Sequence, residues 1–270
     1  MSALHMLTKA TIQLVRSLDT RKGRKRESCF VAEGPRLVGE LLGHFRCRAL
    51  MATADWLAAN DDTSFAAGQG RRMDNTLNDI KIELLTKAEL ERVSLQQTPN
   101  QVLAIFEIPD DKMPEPQTLK GLHIALDEVQ DPGNLGTIIR LADWFGVEHI
   151  WCSQTTADVW NPKVVQASMG GLARVRVHYI NLPSFLGQLP ASMNVYGTSL
   201  DGQSLWAQEL SSDAVVVMGN EGNGVSPEVA AICSHNLFIP NYPPGRATTE
   251  SLNVAMATGI VLSEFRRRVM

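Results

Sequence analysis

The sequence predicts an α/β protein in two parts, the second built on a largely parallel sheet. Strand-like and helix-like segments alternate along most of the chain, and the stretch PDDKMPEPQTL (109–119) interrupts them once. Three loops rich in glycine, proline or asparagine in the second half each follow a strand-like run. Alternating strands and helices bury both faces of a parallel sheet, whose ligands sit at the carboxyl ends of strands. Residues 109–119 hold three prolines and four charges without apolar periodicity. They read as a linker between domains at 1–108 and 120–270.

In the first domain, Leu4–Leu18 has helical apolar spacing and Cys29–Ala32 reads as a strand. Pro35–Leu42 opens a helix with proline in its first turn. Ile80–Leu85 and Val102–Ile108 add strands. In the second, Leu122–Leu126 is a compact apolar strand, then come a loop, Asp127–Gly136, and a helix, Thr137–Phe145. His149–Cys152, Arg174–Ile180, Val195–Thr198, Ala214–Met218 and Leu237–Ile239 are strand-like. Pro162–Gly170, Pro227–Cys233 and Leu252–Arg268 are helical.

With 270 residues, 44% of them hydrophobic, the chain has material for a real core. No apolar run approaches the roughly 20 residues that span a bilayer, and Lys9 and Arg16 break the character of a signal peptide. A cytoplasmic protein without membrane partners is expected. Cys29, Cys47, Cys152 and Cys233 lie far apart, and no H-x-x-x-H occurs, so reduced thiols and no metal are expected. The net charge of −4 opposes non-specific coating of nucleic acid, yet residues 1–50 carry ten Lys and Arg against four acids. Arg21, Lys22, Arg24, Lys25 and Arg26 form one run, with Arg36 nearby. Such a run serves as a solvated loop or as a patch that contacts RNA phosphates.

The first strand-end loop, DEVQDPGNLG (127–136), leads into the helix that carries Arg140. A capped turn, with Asn134 as cap, accounts for its residues but not for Arg140, whose planar fork suits a phosphate. The second, VVVMGNEGNGVS (215–226), is glycine-rich but lacks Gly-Lys-Ser/Thr and G-x-G-x-x-G, and Glu221 would repel a phosphate. A neutral or cationic polar ligand fits better. In the third, running from Ile239 to Asn253, Ser251 reads as a helix N-cap or as a ligand contact beside Asn253.

Together LDEVQDPGNLGTIIRLADWFG (126–146), VVVMGNEGNGVS (215–226) and IP…ESLNVAMATG (239–259) resemble the three motifs of the SPOUT superfamily. The resemblance is to its SpoU (TrmH-like) branch of RNA 2′-O-ribose methyltransferases. NPKVVQASMGG (161–171) is similar to the K-x-x-x-A-S-x-G segment of that family, and FVAEGPRLVGELL (30–42) to a small ribosomal-protein L30e-like RNA-binding domain. The resemblance implies a C-terminal trefoil knot, a homodimer with the active site at its interface, and S-adenosylmethionine as cofactor. It maps cofactor contacts onto Thr198, Gly219, Glu221, Gly222, Ile239 and Leu252. Catalytic positions map onto Asn134, Arg140, Glu221, Ser251 and Asn253. The implied substrate is structured RNA, ribosomal more than transfer RNA. The stretch YPPGR (242–246) makes the third loop longer than is usual in the family.

With no histidine in the motifs, an imidazole base is not on offer. A guanidinium stays protonated, so Arg140 is expected to clamp the phosphate and stabilise the developing alkoxide while phosphate or water takes the proton. Competing readings are a catalytically silent RNA-binding factor on the same fold, a dinucleotide-dependent oxidoreductase, and, within the family, a base methyltransferase. The oxidoreductase lacks the glycine fingerprint. The intact motif residues argue against the silent factor.

Overall fold

A computed structural model describes residues 7–60, 80–110 and 112–268. The chain forms two compact units, one of residues 1–110 with 160–173, the other of 111–159 with 174–270.

In the first unit α1 (Lys9–Leu18) begins where the Thr8 hydroxyl accepts the Thr11 amide; Leu4–Met6 of the expected helix lie outside the described residues. The basic run is itself a helix, α2 (Arg21–Glu27), capped by Thr20. A Cβ on Gly23 would stand 1.8 Å from the Ser17 carbonyl oxygen, so the corner between the two helices admits only glycine. Then follow β1 (Cys29–Glu33), α3 (Pro35–Leu42), β2 (Cys47–Ala52), α4 (Ala54–Ala59), β3 (Lys81–Leu84), α5 (Lys87–Val93) and β4 (Val102–Glu107). The sheet order is β1-β4-β2-β3, with β4 antiparallel to β1 and β2, and β3 parallel to β2. Val15, Leu18, Val31, Met51, Leu103 and Ile105 form part of its core.

The second unit contains β5 (Leu122–Leu126), α6 (Pro132–Trp144) and β6 (His149–Ser153). After the excursion of residues 160–173, it continues with β7 (Arg176–Ile180) and β8 (Asn194–Ser204). β9 (Ala214–Met218) and β10 (His235–Phe238) complete a six-stranded sheet of order β10-β8-β9-β5-β6-β7, parallel throughout. One face packs Ala125, Trp151, Val215 and Val217 against Phe185 and Leu186 of the short helix Leu182–Leu186. The C-terminal helix Val254–Arg267 packs against α6.

Sequence reasoning places Trp160–Ala173 in the second domain; its packing puts it with the first unit. Trp160 stacks on Phe30 with ring centroids 4.6 Å apart, and Gln96 donates to Gln166 at 2.8 Å. A Cβ on Gly170 would meet Glu40 Cγ at 2.6 Å.

Two helix starts differ from expectation. α6 begins at Pro132, whose fixed φ suits a first helical position, and Asp131, not Asn134, is its cap, accepting the Asn134 amide at 2.8 Å. The last helix begins at Val254, with Asn253 rather than Ser251 accepting the Ala255 and Met256 amides. The shifts leave one carboxamide, Asn134, in a helix's first turn and another, Asn253, at a helix N-cap.

Candidate active site

The strand-end loops of the second unit are fastened by side chains that the motifs alone do not single out. Asp127 follows β5; it is buried, and its Oδ2 accepts the Ser226 amide at 2.8 Å. Glu128 sits in the left-handed region at φ 62°, unusual for a residue with a side chain. Its carbonyl accepts Asn220 Nδ2 at 2.9 Å. Asn220 Oδ1 in turn accepts the amides of Gly222 and Asn223, at 2.9 and 3.1 Å. The loop closes through paired backbone bonds between Asn220 and Gly224, both 2.9 Å. A Cβ on Gly219 would lie 2.2 Å from the Gly224 carbonyl carbon, so Gly219 is sterically obligatory. Gly222 is not: its Cβ would meet only Asn220 Oδ1, at 3.5 Å. Asn beside glycine is a turn former, the signal that could have found Asn220 after Gly219; Asp127, between Leu126 and Glu128, carries no such signal.

Three residues from three separate loops meet in one hydrogen-bonded chain. Asn253 Nδ2 donates to Asn134 Oδ1 at 2.9 Å, and Asn134 Nδ2 donates to Glu221 Oε1 at 2.6 Å. Because Asp131 serves as the helix cap, the Asn134 side chain is left to bridge. Arg140 lies on the same helix, exposed, and makes no hydrogen bond or ion pair among the described residues. Ser251 is also exposed and without a side-chain partner among them. The structure joins neither to the network.

Thr198, Gly219 and Ile239 belong to three neighbouring strands or the residues just after them, β8, β9 and β10. Thr198 Oγ1 donates to the Val217 carbonyl at 2.9 Å. Leu252 is 51% exposed. Burial pushes the Cys233 thiol up to about 11, with the Asp127 carboxylate adding to the effect. All four cysteines are free, and no metal-holding cluster occurs among the described residues. Nor, among them, is any helix long and apolar enough to cross a membrane.

In the first unit Arg21, Lys22, Lys25 and Arg26 are exposed on α2, and Arg36 on α3. Arg24 must be removed from the expected RNA contacts. It is 3% exposed, and its Nη1 donates to the carbonyls of Leu18 and Asp19 at 2.8 and 2.9 Å, closing the end of α1. One guanidinium of the run is thus a structural cap.

A carboxylate and two carboxamides thus interlock at the strand ends of a parallel sheet, with an unpaired guanidinium on the helix that carries Asn134. The chain belongs to the SpoU rRNA methylase family, whose model matches residues 121–263. A model described as an MRM3-like substrate binding domain matches residues 9–104. The chain is 31% identical over 253 residues to the 23S rRNA (guanosine(2553)-2'-O)-methyltransferase RlmP of Bacillus subtilis, covering 93% of this chain and 94% of that one. A TrmH-family protein of Porphyromonas gingivalis matches at TM-score 0.80 with 43% identity, over 98% of this chain and all of that one. An AdoMet-bound rRNA methyltransferase of Sinorhizobium meliloti matches at TM-score 0.81 with 27% identity, over 100% of this chain and 98% of that one.

Proposed function

We propose that this protein transfers a methyl group from S-adenosylmethionine to a ribose 2′-hydroxyl of ribosomal RNA. The observation that carries the reading is the chain Asn253–Asn134–Glu221, which brings the three motif loops to one point. The residues present fit the methyl donor. Thr198, Gly219 and Ile239 form a rim along three neighbouring strands, where backbone groups suit an adenine edge. Glu221 offers a carboxylate to a cation, and the segment Gly219–Ser226 holds no Lys or Arg that would select a phosphate. Gly222 and Leu252 complete the proposed cofactor contacts. When bound, the donor supplies an electrophilic methyl on a sulfonium.

The chain's own groups position the acceptor. Arg140, free of internal partners, clamps the phosphate next to the target ribose and stabilises negative charge as it develops on the 2′-oxygen. Phosphate or water takes the proton. Asn134 and Asn253 hold each other and Glu221 in fixed orientation, and Ser251 with Asn253 orients the ribose. Much of the rate comes from this alignment. Arg140→Ala is expected to lower turnover by about 100-fold or more while the affinity for S-adenosylmethionine, measured calorimetrically without RNA, stays within about twofold of the unmodified protein. Turnover near that of the unmodified protein would overturn the role given to Arg140.

Ribosomal RNA is favoured over transfer RNA by the similarity to RlmP and by the match of residues 121–263 to the SpoU rRNA methylase family. On this reading residues 1–108 are an L30e-like RNA-binding domain, joined through 109–119 to a catalytic domain at 120–270. Arg21, Lys22, Lys25, Arg26 and Arg36 contact phosphates. A homodimer is supported by the apolar surface of α6 and the last helix. There a groove of about 450 Å³ is lined by Leu141, Phe145, Trp206, Met256 and Ile260, and Trp144 is 83% exposed. Membership in the SpoU family supports a C-terminal trefoil knot. A cytoplasmic location accords with the proposed substrate and with the bacterial relative RlmP.

A further inference from the structure

The glycine-rich turn at Gly219–Gly224 has an internal scaffold of its own. Asn220 is folded back inside it: Oδ1 accepts two successive backbone amides, Gly222 and Asn223, while Nδ2 donates out of the turn to the carbonyl of Glu128. That carbonyl is presented by a residue in the left-handed region, at φ 62°. The Glu128 conformation is itself supported, since its amide donates to Ser153 Oγ at 2.9 Å and Thr155 Oγ1 donates to its carboxylate at 3.1 Å. The adjacent residue, Glu221, reaches the other end of the same loop, at Asn134 in the first turn of α6. Consecutive residues of one turn therefore grip the 127–134 segment at both ends.

We propose that Asn220 is a positioning residue for methyl transfer, with its two ends doing separable work. The Oδ1 end shapes the turn so that Gly219 and Gly222 present their backbone to the cofactor. The Nδ2 end ties that turn to Glu128 and so fixes the distance between the cofactor side of the site and the helix bearing Asn134 and Arg140. The proposal rests on the reading of this turn as the S-adenosylmethionine site. A hydrogen bond to a backbone carbonyl is a modest interaction, but misplacement of reacting groups by a fraction of their contact distance is costly to rate. Loss of the Nδ2 bond should therefore appear in turnover more than in affinity.

The test compares Asn220→Asp with Asn220→Ala in the full-length protein. Asn220→Asp keeps an acceptor for the two amides and removes the donor to Glu128; Asn220→Ala removes both. S-adenosylmethionine binding is measured by calorimetry without RNA, turnover with saturating cofactor, and thermal midpoint as a control for folding. For Asn220→Asp the expected result is a dissociation constant within about twofold and turnover lowered by about tenfold. For Asn220→Ala both should worsen, each by about tenfold. Asn220→Asp with unchanged turnover, or variants that shift only the thermal midpoint, would overturn the proposal while leaving the cofactor reading intact. Failure of the unmodified protein to bind S-adenosylmethionine would instead remove the reading on which the proposal stands.

Discussion

Arg24 and Lys25 are adjacent in sequence and opposite in role. Arg24 spends its guanidinium on the Leu18 and Asp19 carbonyls, buried, whereas Lys25 is exposed. Arg24→Ala should cost about 1–3 kcal/mol of stability in urea unfolding, because it strands buried acceptors. Lys25→Ala should leave stability within about 0.5 kcal/mol but weaken RNA binding and reduce its salt dependence by about one unit of slope. Equal effects of the two on both measurements would contradict the assignment. This division is invisible in the sequence, where five basic residues within six positions look equivalent. The same holds for Asn134, Asn253 and Glu221. The motifs name all three, but no spacing rule reveals that Asn134 bridges the other two, because that requires Asp131 to take over the helix cap.

The apolar strands of the second half are legible because burial on both faces writes them as continuous hydrophobic runs, as at Ala214–Met218. The basic helix α2 is not, since a helix polar over most of its surface has no apolar period to read. α5 carries a readable signal, the capping box Thr86–Glu89. Sequence pattern places Trp160–Ala173 in the second domain, as nothing local says which unit its tryptophan will stack on. Trp144→Glu with Met256→Glu should place charge on the exposed apolar surface of α6 and the last helix and yield a monomer by light scattering; a dimer would contradict the proposed interface. Across β5, β6 and β7, His123, His149 and His178 cluster with Trp151, and His149 Nδ1 lies 3.0 Å from His178 Nε2. Burial holds His123 below the ordinary imidazole value; His149 adds to this, while the Lys120 carbonyl, Glu148 and Asp213 oppose it. A depressed imidazole contributes stability that is full above its unfolded value, roughly 6.5, and is lost as pH falls below it. The urea midpoint should therefore drop between about pH 7 and 5, and His123→Gln should flatten that drop. An unchanged slope in the variant would contradict the assignment.

For the molecule as a whole, alternation of elements, one linker and three strand-end loops were enough to predict an α/β chain with a parallel sheet, and the ordered motifs led to the family. The packing of residues 160–173 with the first unit is a long-range feature of chain path that local pattern does not encode, and so is the proposed knot. The central claim is methyl transfer to a ribose 2′-oxygen, and the most direct test follows labelled methyl from S-adenosylmethionine into undermethylated ribosomal and transfer RNA, then into the products of alkaline digestion. A methylated 2′-oxygen cannot attack its neighbouring phosphate. The account predicts label in alkali-resistant dinucleotides from ribosomal RNA. Label released in mononucleotides would show base methylation, and no transfer to either RNA would point to a catalytically silent RNA-binding factor; either result would contradict it.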